Sequence, residues 1–256
     1  MICTVTLNPA YDKTVLVEDL IPHEVNSIKE MRFDPGGKGI NVSRVIKVLG
    51  YESLALGIIG GDTGLYIKNH LEQRGIHTNF VEVAQPTRTN LTVIDIDDPP
   101  ATEFNEPGPT ISTKEILEIE KTILDALNTC NFFVFAGSLP VGAPDDTYCR
   151  LIELVRNRGG IAVLDTRGQA LKEGVRIKPY MIKPNQSEAS ELLGRKIDSV
   201  EDTARACEEF YEQGIKYPII SLGKRGAVLA CSEGTFLAVP PQVQVESAVG
   251  AGDSLV

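Results

Sequence analysis

Pro35-Gly36-Gly37-Lys38-Gly39-Ile40-Asn41-Val42-Ser43-Arg44-Val45-Ile46-Lys47-Val48-Leu49-Gly50, followed by the apolar run Ser53–Ile59, is the stretch that decides the fold. Val42, Val45, Ile46 and Leu49 recur at the spacing of one helix face, and Gly50 stands where a left-handed C-terminal residue belongs. Asn41 is the candidate N-cap. A glycine-rich turn, a helix with both ends marked and a strand-like run thus follow one another. Working outward, Ile2–Leu7, Leu91–Ile96, Phe132–Phe135, Ile161–Leu164, Tyr180–Ile182 and Pro218–Leu222 read as further strands, with helical segments between them. Ser112 and Glu115 form a capping box before Ile116, Ile119, Ile123 and Leu127, and Ser199 with Asp202 opens a helix reaching Gly214. Such alternation predicts an α/β domain: a mainly parallel sheet with helices on both faces and ligands at the carboxyl ends of its strands. Segments 12–34 and 88–106 lack helical periodicity and are expected to form a small second sheet, a candidate lid.

With 256 residues, 42% of them hydrophobic, the chain can bury a full core. Its formal charge of −10 opposes binding to nucleic acid or an anionic membrane, since a polyanion seeks a basic face. The cysteines are scattered without a C-x-x-C pair, so buried reduced thiols are the expectation. No apolar stretch reaches the length of a membrane span, and Met1 leads into a run too short for a signal peptide. A cytoplasmic enzyme or binding protein follows. His23, His70 and His77 show no metal spacing.

Several motifs carry chemistry. Gly250-Ala251-Gly252-Asp253 precedes the apolar Ser254-Leu255-Val256. Small residues there let backbone N–H groups approach an anion, the helix start favours negative charge, and the carboxylate can take a proton from an attacking hydroxyl. A helix nucleus of this length is not stable alone, so the chain is expected to continue beyond Val256. Gly36-Gly37-Lys38-Gly39 is not a P-loop, because Gly39 follows the lysine; it is either a sugar or phosphate cradle or a tight turn needing positive φ. Lys183-Pro184-Asn185-Gln186-Ser187-Glu188 offers a lysine for phosphate and hard oxygen atoms for Mg²⁺, or else a proline turn capping the next helix. Ser221-Leu222-Gly223-Lys224-Arg225-Gly226 is a hairpin turn or a nucleotide border. Gly137-Ser138 ends a hydrophobic strand at the ligand edge.

In this order the motifs resemble the PfkB, or ribokinase-like, carbohydrate kinases, and among them the branch acting on phosphorylated sugars. The resemblance rests on Thr6-Leu7-Asn8-Pro9-Ala10 with Asp12, Gly36 through Arg44, Thr87-Arg88-Thr89-Asn90, Pro107-Gly108-Pro109, Gly137 through Pro140, Lys183-Pro184-Asn185 with Glu188, Ser221-Leu222-Gly223, and Val249 through Ser254. It implies a three-layer α/β/α fold with a β lid, a single kinase domain over 1–256 whose last helices lie beyond Val256, and a homodimer formed through the lids.

By that resemblance Asp253 is the general base, and the Gly250, Ala251 and Gly252 amides form the anion hole. Asp12, Gly36, Gly37, Asn41 and Ser138 hold sugar hydroxyls, while Arg88, Lys38 and Asn90 meet the phosphate already on the substrate. Lys183, Asn185 and Glu188 organise ATP and Mg²⁺, the metal being reached by Asn185 and Glu188 through water; Ser221, Gly223 and Gly226 line the nucleotide. The implied substrate is a ketohexose phosphate, fructose 1-phosphate first, with tagatose 6-phosphate and fructose 6-phosphate as alternatives. A non-catalytic sugar-phosphate sensor is the reading from another class; a dinucleotide oxidoreductase fails because no G-x-G-x-x-G follows the first strand. One departure stands out. The branch often carries arginine shortly after Glu-Val-Asn, where this chain has Ser27, so one phosphate contact is either absent or supplied by Lys29.

Overall fold

A computed structural model describes residues 1–96, 101–241 and 252–256. Along the chain come β1 (Ile2–Thr6), β2 (Ala10–Val17), β3 (Ile28–Gly36), α1 (Lys38–Val48), β4 (Ser53–Gly60), α2 (Gly61–Gln73), β5 (His77–Val83), β6 (Arg88–Asp95), β7 (Thr102–Asn105) and α3 (Thr113–Ala126). There follow β8 (Phe132–Ala136), α4 (Thr147–Arg156), β9 (Ile161–Asp165), α5 (Gly168–Arg176), β10 (Met181–Ile182), α6 (Gln186–Leu193), α7 (Val200–Glu212), β11 (Tyr217–Ser221), β12 (Ala227–Cys231) and β13 (Gly234–Ala238).

The central sheet is nine-stranded, in the order β13-β12-β11-β10-β9-β8-β1-β4-β5. Strands β5 through β11 in that spatial order run parallel, and β12 and β13 add an antiparallel edge. Consecutive residues of β8 serve opposite layers, as a period of two demands. Phe133 and Phe135 join Ile119, Ile123, Tyr148 and Leu151 on one face, while Val134 and Ala136 meet Val42 and Ile46 of α1 on the other. Full burial of Ile119 and Ile123 contributes roughly 2 kcal/mol each. The chain crosses from one side of β1 to the other between β4 and β8, and the crevice left at such a reversal opens at the carboxyl ends of the strands.

The lid is a four-stranded sheet, β3-β2-β6-β7, made from the two segments that lacked helical periodicity. Strands β2 and β6 pair in parallel with Asp12 opposite Asn90. Leu91–Ile96 therefore belongs to the lid rather than the core sheet. Strand β5 has no counterpart among the strands expected from sequence, because His77–Val83 opens with three polar residues and its apolar Phe80, Val81 and Val83 are interrupted by Glu82, too short a run to stand out.

Of the three N-caps expected at Asn41, Ser112 and Ser199, two form as read. Ser112 with Glu115 closes its box on α3, and Ser199 accepts from the Asp202 amide on α7. The exception is α1. Its N-cap is Gly37, with φ +115°, and Asn41 lies inside the first turn with its amide bonded to the Gly37 carbonyl at 2.9 Å. A glycine takes the cap because only a residue without Cβ tolerates that φ beside Thr6 and Pro9. The expected cap is thus corrected, and the Asn41 side chain is released for other work.

Candidate active site

A cleft of about 280 Å³ opens at the carboxyl ends of β1, β8 and β9 and is bordered by the lid. Its lining includes Gly37, Lys38, Asn41, Arg88, Asn90, Ser138 and Asp253 from the set expected on sequence grounds. It also includes Asn8, Asn105 and Gly137, which the motifs contain but to which no role was given, and Glu103, Thr166 and Arg167, which the sequence reading passed over. Gly252 and Asp253 are described; Gly250 and Ala251 lie outside the described residues.

Asp253 heads a short 3₁₀ turn, Asp253–Leu255, packed on the start of α1, and is only 8% exposed. Asn41 Nδ2 donates to its Oδ2 at 2.8 Å. Burial pushes the Asp253 carboxyl above the ordinary aspartate range; the Asn41 bond, Lys38 and Lys183 pull it back, and the like charge of Asp165 adds to the rise. A carboxylate of raised basicity, oriented by one amide and facing an open cleft, suits proton abstraction from a hydroxyl.

Asp165 was missed. Its side chain is wholly buried at the end of β9, where Lys38 Nζ lies 2.8 Å from Oδ1 and Lys183 Nζ 3.2 Å from Oδ2. The second contact lacks hydrogen-bond alignment and is chiefly electrostatic. One anion therefore gathers two cations beside Asp253. The available signal was an aspartate directly after the apolar run Ile161–Leu164, at the edge where ligands bind. The neighbouring turn is fixed from below: Thr166 Oγ1 and Tyr148 OH donate to the Gly137 carbonyl at 2.8 and 3.1 Å, and the Gly137 amide donates to the Asp165 carbonyl at 2.9 Å.

At the lid, Asn90 Nδ2 donates to Asp12 Oδ1 at 2.9 Å. Asp12 lies against Gly36, where a Cβ would collide with its carboxylate, and neither residue is part of the cleft lining. Burial raises the Asp12 carboxyl, while the Asn90 bond and Arg88 lower it. Arg88 donates through Nε to the Pro9 carbonyl, through Nη1 to Glu106 and through Nη2 to Asn8, at 3.3, 3.2 and 3.0 Å. Its role is thereby partly architectural. Lys29 pairs with Glu18, just past β2, at 2.6 Å on the exposed part of the lid and is not part of the cleft lining.

The remaining expected residues lie together at the ends of β10 and β11. Asn185 bridges to Ser221, and the Ser221 amide donates to the Pro184 carbonyl at 3.0 Å. Asn185 and Glu188 form a reciprocal capping box on α6, so the capping role offered by the sequence is realised. Of the Glu188 carboxylate, Oε2 is the atom used there. Gly226 has φ +99° and closes the β11–β12 turn against the Ala238 carbonyl. Gly252, by contrast, has a helical φ, and a Cβ added there would meet, among the described residues, only Lys183 Nζ, at 3.9 Å.

Two lysines and a basic carboxylate at the switch point of a parallel sheet, under a β lid, define a small-molecule phosphotransferase. The pfkB family carbohydrate kinase pattern matches residues 5–256. The 1-phosphofructokinase of Bacillus subtilis (strain 168) is 39% identical over 259 residues, covering 100% of this chain and 83% of that protein. The 1-phosphofructokinase of Borreliella burgdorferi is 35% identical, covering 100% and 82%. Among solved structures, phosphofructokinase-2 from Escherichia coli in complex with substrates and products superposes with a TM-score of 0.94 at 32% identity, covering 99% of this chain and 83% of that one. The chain belongs to the pfkB family of carbohydrate kinases and is a sugar kinase of the ribokinase-like α/β fold.

Proposed function

We propose that this kinase transfers the γ-phosphoryl group of ATP to a hydroxyl of a phosphorylated ketohexose, fructose 1-phosphate in the first place, giving fructose 1,6-bisphosphate. The observation that carries the reading is the Asp253 carboxylate, held by Asn41 in the same cleft as Arg88. Asp253 takes the proton of the attacking hydroxyl, whose oxygen then bonds to the γ-phosphorus as the bond to ADP breaks. Lys38 and Lys183, gathered on Asp165, offset the negative charge that spreads over the transferring oxygens, and positioning of this kind supplies most of the catalysis in phosphoryl transfer. Ser138 and Asn41 present polar atoms to the sugar; Ser221 and Gly223 border the nucleotide. Bound Mg²⁺ neutralises phosphate charge, and Glu188 with Asn185 would hold it through water.

Similarity to two proteins named 1-phosphofructokinase supports fructose 1-phosphate over its isomers. A homodimer joined through the lids accords with Ile28, Met31 and Phe104 exposed on them, and sedimentation velocity tests it. No helix among the described residues is long and apolar enough to cross a membrane; free cysteines and use of ATP fit the cytoplasm. The decisive assay is coupled ADP release with Mg²⁺-ATP and, separately, fructose 1-phosphate, tagatose 6-phosphate and fructose 6-phosphate. The highest kcat/KM is expected with fructose 1-phosphate. A preference for another ester reassigns the substrate, and binding without turnover makes the protein a sensor.

A further inference from the structure

The phosphate already carried by the substrate needs more donors than the expected residues leave available. A guanidinium has five N–H donors, and Arg88 spends three of them on the carbonyls of Asn8, Pro9 and Glu106. Lys38 is turned to Asp165, Lys29 to Glu18, and Ser27 stands where the branch often has arginine. Arg167 fills the gap from a different element. It lies directly beyond β9, lines the same cleft as Arg88 and is solvent-exposed there. Among the described residues its side chain has no hydrogen bond or ion pair, although the carboxylates of Glu103 and Asp253 border the cleft too.

Its position in the chain argues against a purely local role. Arg167 is the N-cap of α5, with extended backbone and no side-chain cap. That site ordinarily takes serine, threonine, asparagine or aspartate, because a side-chain oxygen must accept from the first turn, and arginine has only donors. Its charge also reaches Arg88, whose proton affinity, lowered mainly by burial, is lowered further by Arg167. Two guanidinium groups repelling one another across an open cleft are stabilised when a dianion enters between them.

We propose that Arg167 is a principal ligand of the substrate's existing phosphate, gripping it bidentately opposite the two N–H donors that Arg88 has left. This deepens the reading of the substrate as a sugar phosphate and rests on it. It makes Arg167 a specificity residue for phosphorylated over free ketohexose.

The test is steady-state kinetics of Arg167→Met and Arg167→Lys with fructose 1-phosphate, with unphosphorylated fructose at high concentration, and with ATP varied. Loss of a charged, bidentate contact raises the KM for fructose 1-phosphate about 10- to 100-fold in the methionine variant, with the KM for ATP within about twofold. The ratio of kcat/KM for fructose 1-phosphate to that for fructose falls with it, and inorganic phosphate loses its competition against the sugar phosphate in parallel. Lysine recovers part of the loss, since it restores charge without the fork. An unchanged KM for fructose 1-phosphate overturns the proposal, and an equal rise for ATP overturns it by placing Arg167 on the nucleotide. If the unaltered enzyme phosphorylates only free sugars, the substrate reading itself has failed and this inference falls with it; if it phosphorylates sugar phosphates while the variants match it, this inference alone is wrong.

Discussion

Replacing Asp165 with asparagine removes the charge that pairs directly with both Lys38 and Lys183 among the described residues. The Lys183 side chain is 6% exposed and that of Lys38 33% exposed, whereas Asp165 is 0% exposed. Removing one member of a buried ion pair costs about 3–5 kcal/mol, because the partner is left charged and unsolvated. Lys38 can turn toward water, and the asparagine oxygen still accepts one bond, so the expected cost lies near the lower end, about 3 kcal/mol. With a urea m-value of about 3 kcal/mol/M for a chain of this size, the unfolding midpoint falls by about 1 M. Circular dichroism in urea measures it, and a double-mutant cycle with Lys183→Met isolates the cause. If charge pairing is responsible, the double variant is more stable than the sum of the single effects by at least about 1.5 kcal/mol. Additivity within about 0.5 kcal/mol would refute the reasoning, since Asp165 would then act by packing alone.

Asp253→Asn keeps the Asn41 contact in shape but cannot accept a proton, so turnover drops by about 10²- to 10⁴-fold while calorimetric affinities for sugar phosphate and ATP change little. Lys38→Met removes a cation that lowers the Asp253 pKa. The base then protonates at higher pH, and the acid limb of the kcat/KM profile moves upward; a downward shift would count against the electrostatic assignment. Gly226→Ala places a methyl at φ +99° against the Ala238 carbonyl, whereas Gly50→Ala, at φ +84°, meets nothing within 4 Å. Thermal melts are expected to show a loss above about 3 kcal/mol for the first and about 1 kcal/mol for the second; similar losses would mean that the close approach is relieved at little cost.

What short-range chemistry controls was legible in the order of the residues. Apolar runs gave most of the parallel strands, the Ser112–Glu115 and Ser199–Asp202 spacings gave two helix starts, and unperiodic segments marked the lid. The glycines, lysines and carboxylate of the site were visible as motifs, because each sits at a strand end where local composition changes abruptly. Asn41 shows where that reading stops: a plausible cap by its neighbours, it instead donates to a carboxylate 212 residues away. Asp165 reads as the end of an apolar strand until folding brings Lys38 and Lys183 to it, 127 residues behind and just beyond the adjacent strand. Glu103 carries no local signature at all, and Arg167 only that of a poor cap. Such roles are decided by tertiary structure, since a charge acquires its function from the opposite or like charges set within a few ångströms of it, and sheet order rather than sequence distance sets those neighbours.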